Sequence, residues 1–152
     1  MQISKYLNMK NIKYLNGYIF VREFFEMSLP TSTQHLVMKK YCDDYGYFYK
    51  LADQELIMKN SSITLNSLIK RINSGSGIIM CSLHMLPEGD KRKKFLLDMI
   101  KKKIQVHFVF EKFILKDKND VNNLENFIKL NNIINSYDYR NINFFKKIKV
   151  IN

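Results

Sequence analysis

Short apolar runs alternate along this chain with segments whose apolar positions recur at helical spacing. Tyr18-Ile19-Phe20-Val21 follows Gly17 and stops at Arg22-Glu23; an unbroken run of this kind suits a strand buried on both faces. After Ser28-Leu29-Pro30, the pattern Thr31-x-x-Gln34 reads as a capping box that opens a helix. Leu36, Val37 and Tyr41 form the expected inward stripe of that helix, and Gly46 its stop. Tyr47 to Leu51 predicts a second strand, and Ala52-Asp53-Gln54-Glu55 a loop running into an irregular stretch.

Leu65, Leu68, Ile69 and Ile72 repeat at i, i+3, i+4 and i+7, the spacing of an amphipathic helix. Ser74-Gly75-Ser76-Gly77 breaks it. Ile78 to Leu83 predicts the third strand, and Asp90 an N-cap for a helix to Lys103 with Leu96, Met99 and Ile100 inward. Ile104 to Phe110 predicts the fourth strand. A last helix is expected from Asn119 to Asn135, with Val121, Leu124, Phe127 and Ile128 on its inner side.

Strands that alternate with helical crossovers form parallel sheets, and such crossovers are right-handed. The expected fold is therefore α/β: a small, open, mainly parallel four-stranded sheet with helices on both faces. Residues 1–16 are expected to be an N-terminal arm and 17–136 a single domain. Residues 137–152 are expected to be a C-terminal tail or an added edge strand, through Phe144-Phe145 and Ile148 to Ile151.

In an open parallel sheet, ligands sit where the carboxyl ends of strands meet helix amino ends. That topology gathers Arg22 after the first strand, Gln34 in the first helix, Asp53 and Glu55 after the second strand, Cys81, Ser82 and His84 after the third, and Glu111 after the fourth. Arg22 is suited to an anion, the favoured reading for an arginine directly after a buried strand, with a surface ion pair to Glu23 or Glu26 as the alternative. Ser82 and Gln34 are hydrogen-bonding groups for substrate hydroxyls; Ser82 as a nucleophile would need a base beside it, and a loop cap is the plainer reading. His84, Glu55 and Glu111 are the acid/base candidates, although a loop histidine is as often merely polar. His107, within a strand, reads as a packing side chain.

The formal charge of +11 comes from 25 basic and 14 acidic residues in 152, and only four of the basic residues are arginines. Phosphate and base recognition favours arginine for its bidentate fork. The Lys- and Asn-rich composition resembles AT-biased coding, so nucleic acid is not the expected partner. Cys42 and Cys81 lack metal-ligand spacing and read as small core residues. No metal and no cofactor is expected: no GxGxxG follows a strand and no Walker lysine motif is present. No apolar run approaches the ~18 residues of a membrane span, and the amino-terminal stretch lacks a signal-like apolar core. A cytoplasmic protein is the expectation.

Gly17-Tyr18-Ile19 with Arg22 and Phe24, Pro30 with Gln34, Tyr41-Cys42 and Gly46, and then Ser82-Leu83-His84-Met85-Leu86-Pro87, Arg92 and His107-Phe108 with Glu111 occur in an order that resembles the sporadic carbohydrate cluster protein family. The resemblance spans about Gly17 to Leu115. It implies a role in bacterial surface polysaccharide or lipopolysaccharide synthesis and adds Arg92 to the substrate-binding set of Arg22, Gln34 and Ser82. The family pattern has Arg-Pro-Phe where this chain has Arg22-Glu23-Phe24, and often an aromatic at the position of His84.

More distantly, Arg22 after a strand, Gln34 opening a helix, and Leu83-x-x-Leu86 before a Lys-rich helix are similar to the serine recombinase (resolvase) catalytic domain. The arginines and aspartate of the corresponding recombinase motif are absent from Leu83-His84-Met85-Leu86-Pro87-Glu88, so strand exchange is not expected.

Three functions follow as expectations. The first is a protein acting on or binding an anionic sugar or nucleotide-sugar. The second is a non-catalytic partner of a carbohydrate enzyme, or a homodimer, with an apolar patch near Phe24-Phe25-Met27. The third is a recombinase-derived nucleic-acid module.

Overall fold

A computed structural model describes residues 14–24 and 26–148, with side chains of the last helix described as far as Ser136. The chain divides into two compact units, Met1–Asp117 and Lys118–Asn152.

The first unit is built on a five-stranded sheet. In chain order its elements are β1 (Tyr14–Ile19), α1 (Thr31–Tyr45), β2 (Phe48–Gln54), α2 (Ile63–Arg71), β3 (Gly77–Met80), α3 (Asp90–Lys101), β4 (Gln105–Phe108) and β5 (Phe113–Leu115). The strand order is β2-β1-β3-β4-β5; the first four strands are parallel and β5 runs antiparallel beside β4. Every residue of β3 is buried, which requires cover on both faces and accounts for the uninterrupted apolar run. α1 packs against β1, β2 and β3, α2 against β2, and α3 against β4.

β1 begins four residues before the expected strand. Gly17, expected to precede the strand, lies inside it. A Cβ at Gly17 would fall 2.7 Å from the Ala52 Cβ and 2.8 Å from the Tyr49 hydroxyl. Glycine is there for close approach of β2, at the point where the β1–β2 register shifts. The expected arm therefore overlaps the sheet at Tyr14 to Asn16; residues 1–13 lie outside the described residues.

The stripe of α1 also differs from its expectation. Gln34, Met38 and Cys42 face the core, whereas Leu36 is 68% exposed. The i, i+4, i+8 row won over the larger apolar side chains because a polar residue, Gln34, is needed inside. Gly46 ends the helix in the left-handed region, at φ 76°. The Thr31–Gln34 capping box does not form: the N-cap position is Pro30 and no side chain caps it.

β3 is shorter than expected, giving way after Met80 to Cys81, Ser82 and a single 3-10 turn at Leu83–Met85. Gly89, not Asp90, precedes α3 as its N-cap, and Phe95 joins Leu96 and Met99 inside. β5 was not foreseen. It is three residues long, and its hairpin turns on Lys112 at φ 50°, with no glycine or asparagine to announce it.

The second unit is helix α4, Lys118–Ile148. It runs through the stretch expected to be a tail or edge strand, because apolar positions continue at helical spacing past Asn135. Val121, Leu124 and Ile128 are buried, whereas Phe127 is 43% exposed. The expected edge-strand residues 149–152 lie outside the described residues.

Candidate functional site

The parallel order of β1 to β4 brings their carboxyl ends to one rim, and the loops there carry the residues singled out from the sequence. Three of them are joined directly to loop backbone.

Gln34 is completely buried. Its Oε1 accepts from the Phe20 N–H at 3.0 Å, and its Nε2 donates to the Phe20 carbonyl at 2.6 Å and the Leu29 carbonyl at 2.8 Å. The primary amide thus prolongs β1 by one residue, replacing a neighbouring strand with a side chain. Polar groups so deep in the core must be paired, and here the pairing is complete on the carbonyl and on both N–H groups.

Arg22 and Glu55 organise the loop between β2 and α2 from two sides. Arg22 Nη1 donates to the carbonyls of Leu56 at 2.9 Å and Met58 at 2.8 Å, and Nη2 to that of Ser61 at 2.8 Å. Its guanidinium stacks on the Phe20 ring, 4.0 Å from the centroid. Three backbone carbonyls therefore occupy the fork that suited an anion. The buried Glu55 carboxylate accepts from the Tyr18 hydroxyl at 2.8 Å, the Ser61 hydroxyl at 2.9 Å and the N–H groups of Leu56, Thr64 and Leu65 at 3.0–3.2 Å. Thr64 and Leu65 lie in the first turn of α2, so Glu55 caps that helix from the preceding loop. Burial alone would raise the Glu55 carboxyl; the hydrogen bonds from Leu56, Tyr18, Leu65 and Ser61 outweigh it and hold the group down at about 2. A carboxylate held this way is a weak base at neutral pH and has no proton to give.

The remaining candidates form a second group. Ser82, 3% exposed, donates from its hydroxyl to Glu111 Oε1 at 2.6 Å and accepts from the His84 N–H at 3.2 Å. Glu111 Oε2 accepts from the Leu83 N–H at 3.3 Å. Glu111, in the β4–β5 turn, thereby ties that turn to the loop after β3, alongside backbone bonds from Val109 to Met80 and from Phe110 to Cys81. His84 and Arg92 are half-buried beside this pair. Burial lowers the His84 ring below its ordinary value; Glu111 opposes that shift and Arg92 adds to it. At neutral pH the ring is uncharged, within the field of one carboxylate and one guanidinium.

Cys42 and Cys81 are buried free thiols, both pushed up to about 12 by burial, and are unreactive as thiolates. His107 packs between the rings of Tyr41 and Tyr47, as a strand histidine facing a helix should. Among the described residues, no group of three or more His, Cys, Asp or Glu side chains is placed to hold a metal ion, and no helix is long and apolar enough to cross a membrane.

Sequence reasoning missed what the loops show to solvent. Val21 (44%), Leu56 (44%), Ile57 (73%) and Met58 (68%) are exposed on the loops that Arg22 and Glu55 hold, and Ile63 (62%) is exposed at the start of α2. The signal was present in Leu56-Ile57-Met58, an apolar triplet in a segment with neither helical nor strand periodicity. The patch expected at Phe24-Phe25-Met27 is only partly there. Phe24 is buried against Phe20 and Met27 is 37% exposed, while Phe25 lies outside the described residues.

No protein-family model matches the chain, and no curated protein does. Among solved structures, the N-terminal catalytic domain of TP901-1 integrase is similar in fold, with a TM-score of 0.57 and 13% sequence identity over 83% of this chain and 99% of that domain. The architecture is therefore resolvase-like, a mainly parallel α/β fold shared with that domain. At this identity the likeness concerns the fold alone.

Proposed function

We propose that this protein is a non-catalytic partner in bacterial surface carbohydrate synthesis, docking an enzyme such as a glycosyltransferase on the rim formed by the loops after β1 and β2. One observation carries the reading. The polar groups of Arg22, Gln34 and Glu55 are turned inward on loop backbone, while Ile57, Met58 and Ile63 are turned out to water. A rim that hydrogen-bonds itself and exposes several large apolar side chains is suited to a protein surface more than to a small polar substrate. The carbohydrate setting rests on the motif resemblance between Gly17 and Leu115. The resolvase-like fold supports no strand exchange here, because the arginine that follows β1 is engaged with three carbonyls.

The test is direct. Purified protein is mixed with purified glycosyltransferases of bacterial surface polysaccharide synthesis, and complexes are measured by light scattering. A complex with one of them that Ile57→Glu or Met58→Glu abolishes, at unchanged melting temperature, is the expected result. Absence of any complex, or variants that bind as well as wild type, overturns the proposal.

A second reading keeps the anionic sugar or nucleotide-sugar ligand and moves it to the half-buried His84 and Arg92 beside Ser82 and Glu111. It predicts a ligand-induced rise in melting temperature with sugar phosphates or nucleotide-sugars that Arg92→Ala removes and Ile57→Glu leaves intact. No rise with any of them, or one that survives Arg92→Ala, ends that reading.

A further inference from the structure

A groove of about 520 Å3 lies between α1 and the β4–β5 turn and is lined by no residue of the loops after β1 and β2. Small-molecule sites commonly enclose roughly 300–1,000 Å3, so its size admits a ligand. Two parallel rows of α1 form one wall. Val37, Tyr41 and Tyr45 follow one another at i, i+4 and i+8, and Lys40 and Asp44 lie on the adjoining row. Val109 and Lys112 of the β4–β5 turn form the other wall.

The chemistry of the two walls is specific. The Tyr41 and Tyr45 rings lie 4.6 Å apart between centroids and are inclined at 36°. Tyr41 is held in place from below, its hydroxyl 3.0 Å from the buried His107 Nδ1. Tyr45 is 48% exposed. Lys112 makes no ion pair among the described residues. Lys40 is paired only with Asp44, one helical turn away and exposed, a contact weak enough to be exchanged for a stronger anion. An aromatic platform flanked by two lysines matches a ligand that joins a flat ring to a multiply charged anion.

We propose that this groove binds a nucleoside phosphate, with the base against Tyr45 and the phosphate held by Lys112 and Lys40. The inference is independent of the docking rim, which shares none of these residues.

UMP, AMP and ribose 5-phosphate are titrated into the protein and followed by amide chemical shifts. Saturable binding of UMP or AMP is expected, with shifts confined to α1 and the β4–β5 turn. Tyr45→Ala should weaken it about fivefold or more, as loss of a base–aromatic stack does, and Lys112→Gln should weaken it comparably. Ribose 5-phosphate should bind less tightly than either nucleotide. Both substitutions are at exposed positions, and unchanged melting temperatures verify that the variants fold. No saturation up to roughly 10 mM, equal affinity in both variants, or equal affinity for ribose 5-phosphate overturns the proposal.

Discussion

The Tyr18 hydroxyl donates to the Glu55 carboxylate at 2.8 Å, both groups being buried. A residue of β1 thereby fixes the carboxylate that caps α2, and three segments of the rim share one hydrogen-bond centre.

Glu55→Gln is expected to destabilise the protein by on the order of 3 kcal/mol at pH 7, because bonds from five donors lose their charged acceptor. Tyr18→Phe removes one donor and should cost less, about 1–2 kcal/mol. Urea denaturation of the two variants checks the order. Equal costs would mean that Tyr18 alone holds the carboxylate.

The buried His107 ring is expected to make the protein acid-sensitive well above the carboxylate range. Burial, with a smaller contribution from Lys116, pushes it down from 6.5 to about 3. The unfolded chain takes up a proton at about pH 6.5 and the folded protein does not, so stability is full above pH 6.5 and falls as pH is lowered towards 3. The whole effect is on the order of 5 kcal/mol. The ring nitrogen Nε2 has no hydrogen-bond partner among the described residues, so His107→Phe should flatten the stability curve between pH 6.5 and 4.5. A variant curve that parallels wild type there would remove His107 as the cause.

Glu55 acts in a lower window. Its carboxyl lies at about 2 in the folded protein against 4.5 ordinarily. Its contribution is complete above pH 4.5 and is lost as pH falls towards 2. Glu55→Gln should therefore change the slope of stability only below pH 4.5, leaving the histidine window intact in the same titration.

Gln34→Met keeps the volume of the side chain and removes all three of its hydrogen bonds, leaving the Phe20 amide unpaired in the core. A loss of about 3 kcal/mol is expected, with hydrogen exchange at Phe20 accelerated more than at Tyr18. Uniform acceleration across β1 would argue against a local tether.

Ser82 and Glu111 should be coupled. A double-mutant cycle with Ser82→Ala and Glu111→Gln is expected to give an interaction energy of about 1–2 kcal/mol, as for a buried hydrogen bond to a charged acceptor. A value near zero would mean that the backbone bonds of Val109 and Phe110 alone join the two loops.

The sequence allowed the sheet class, α1 to α3 and the rim to be read, because apolar runs in β1 and β3 and the Leu65, Leu68, Ile69 stripe are signals of burial, and burial is what builds these elements. It did not disclose what the rim residues do there. Arg22 looks the same whether it awaits an anion or holds the carbonyls of Leu56, Met58 and Ser61, since the acceptors are backbone atoms that every residue possesses. Gln34 was placed on a helix correctly and given a capping role, when its partner is Phe20, fourteen positions away. Tyr18 was hidden inside an apolar run, its single polar atom unremarkable until Glu55 came within reach. β5 and the continuation of α4 escaped for a different reason. A three-residue strand leaves too few positions for a period to register, and Phe144-Phe145 reads as either period.

α2 has nine residues, fewer than an isolated helix needs to persist in water. Two of its first-turn amides are satisfied by a carboxylate that reaches it only from the end of β2, steadied by β1. The expected order of assembly is that Tyr18 of β1 fixes this carboxylate before α2 is fully held, which puts the helix on the late side of the folding barrier. Substitutions within it should speed unfolding and leave the folding rate nearly untouched.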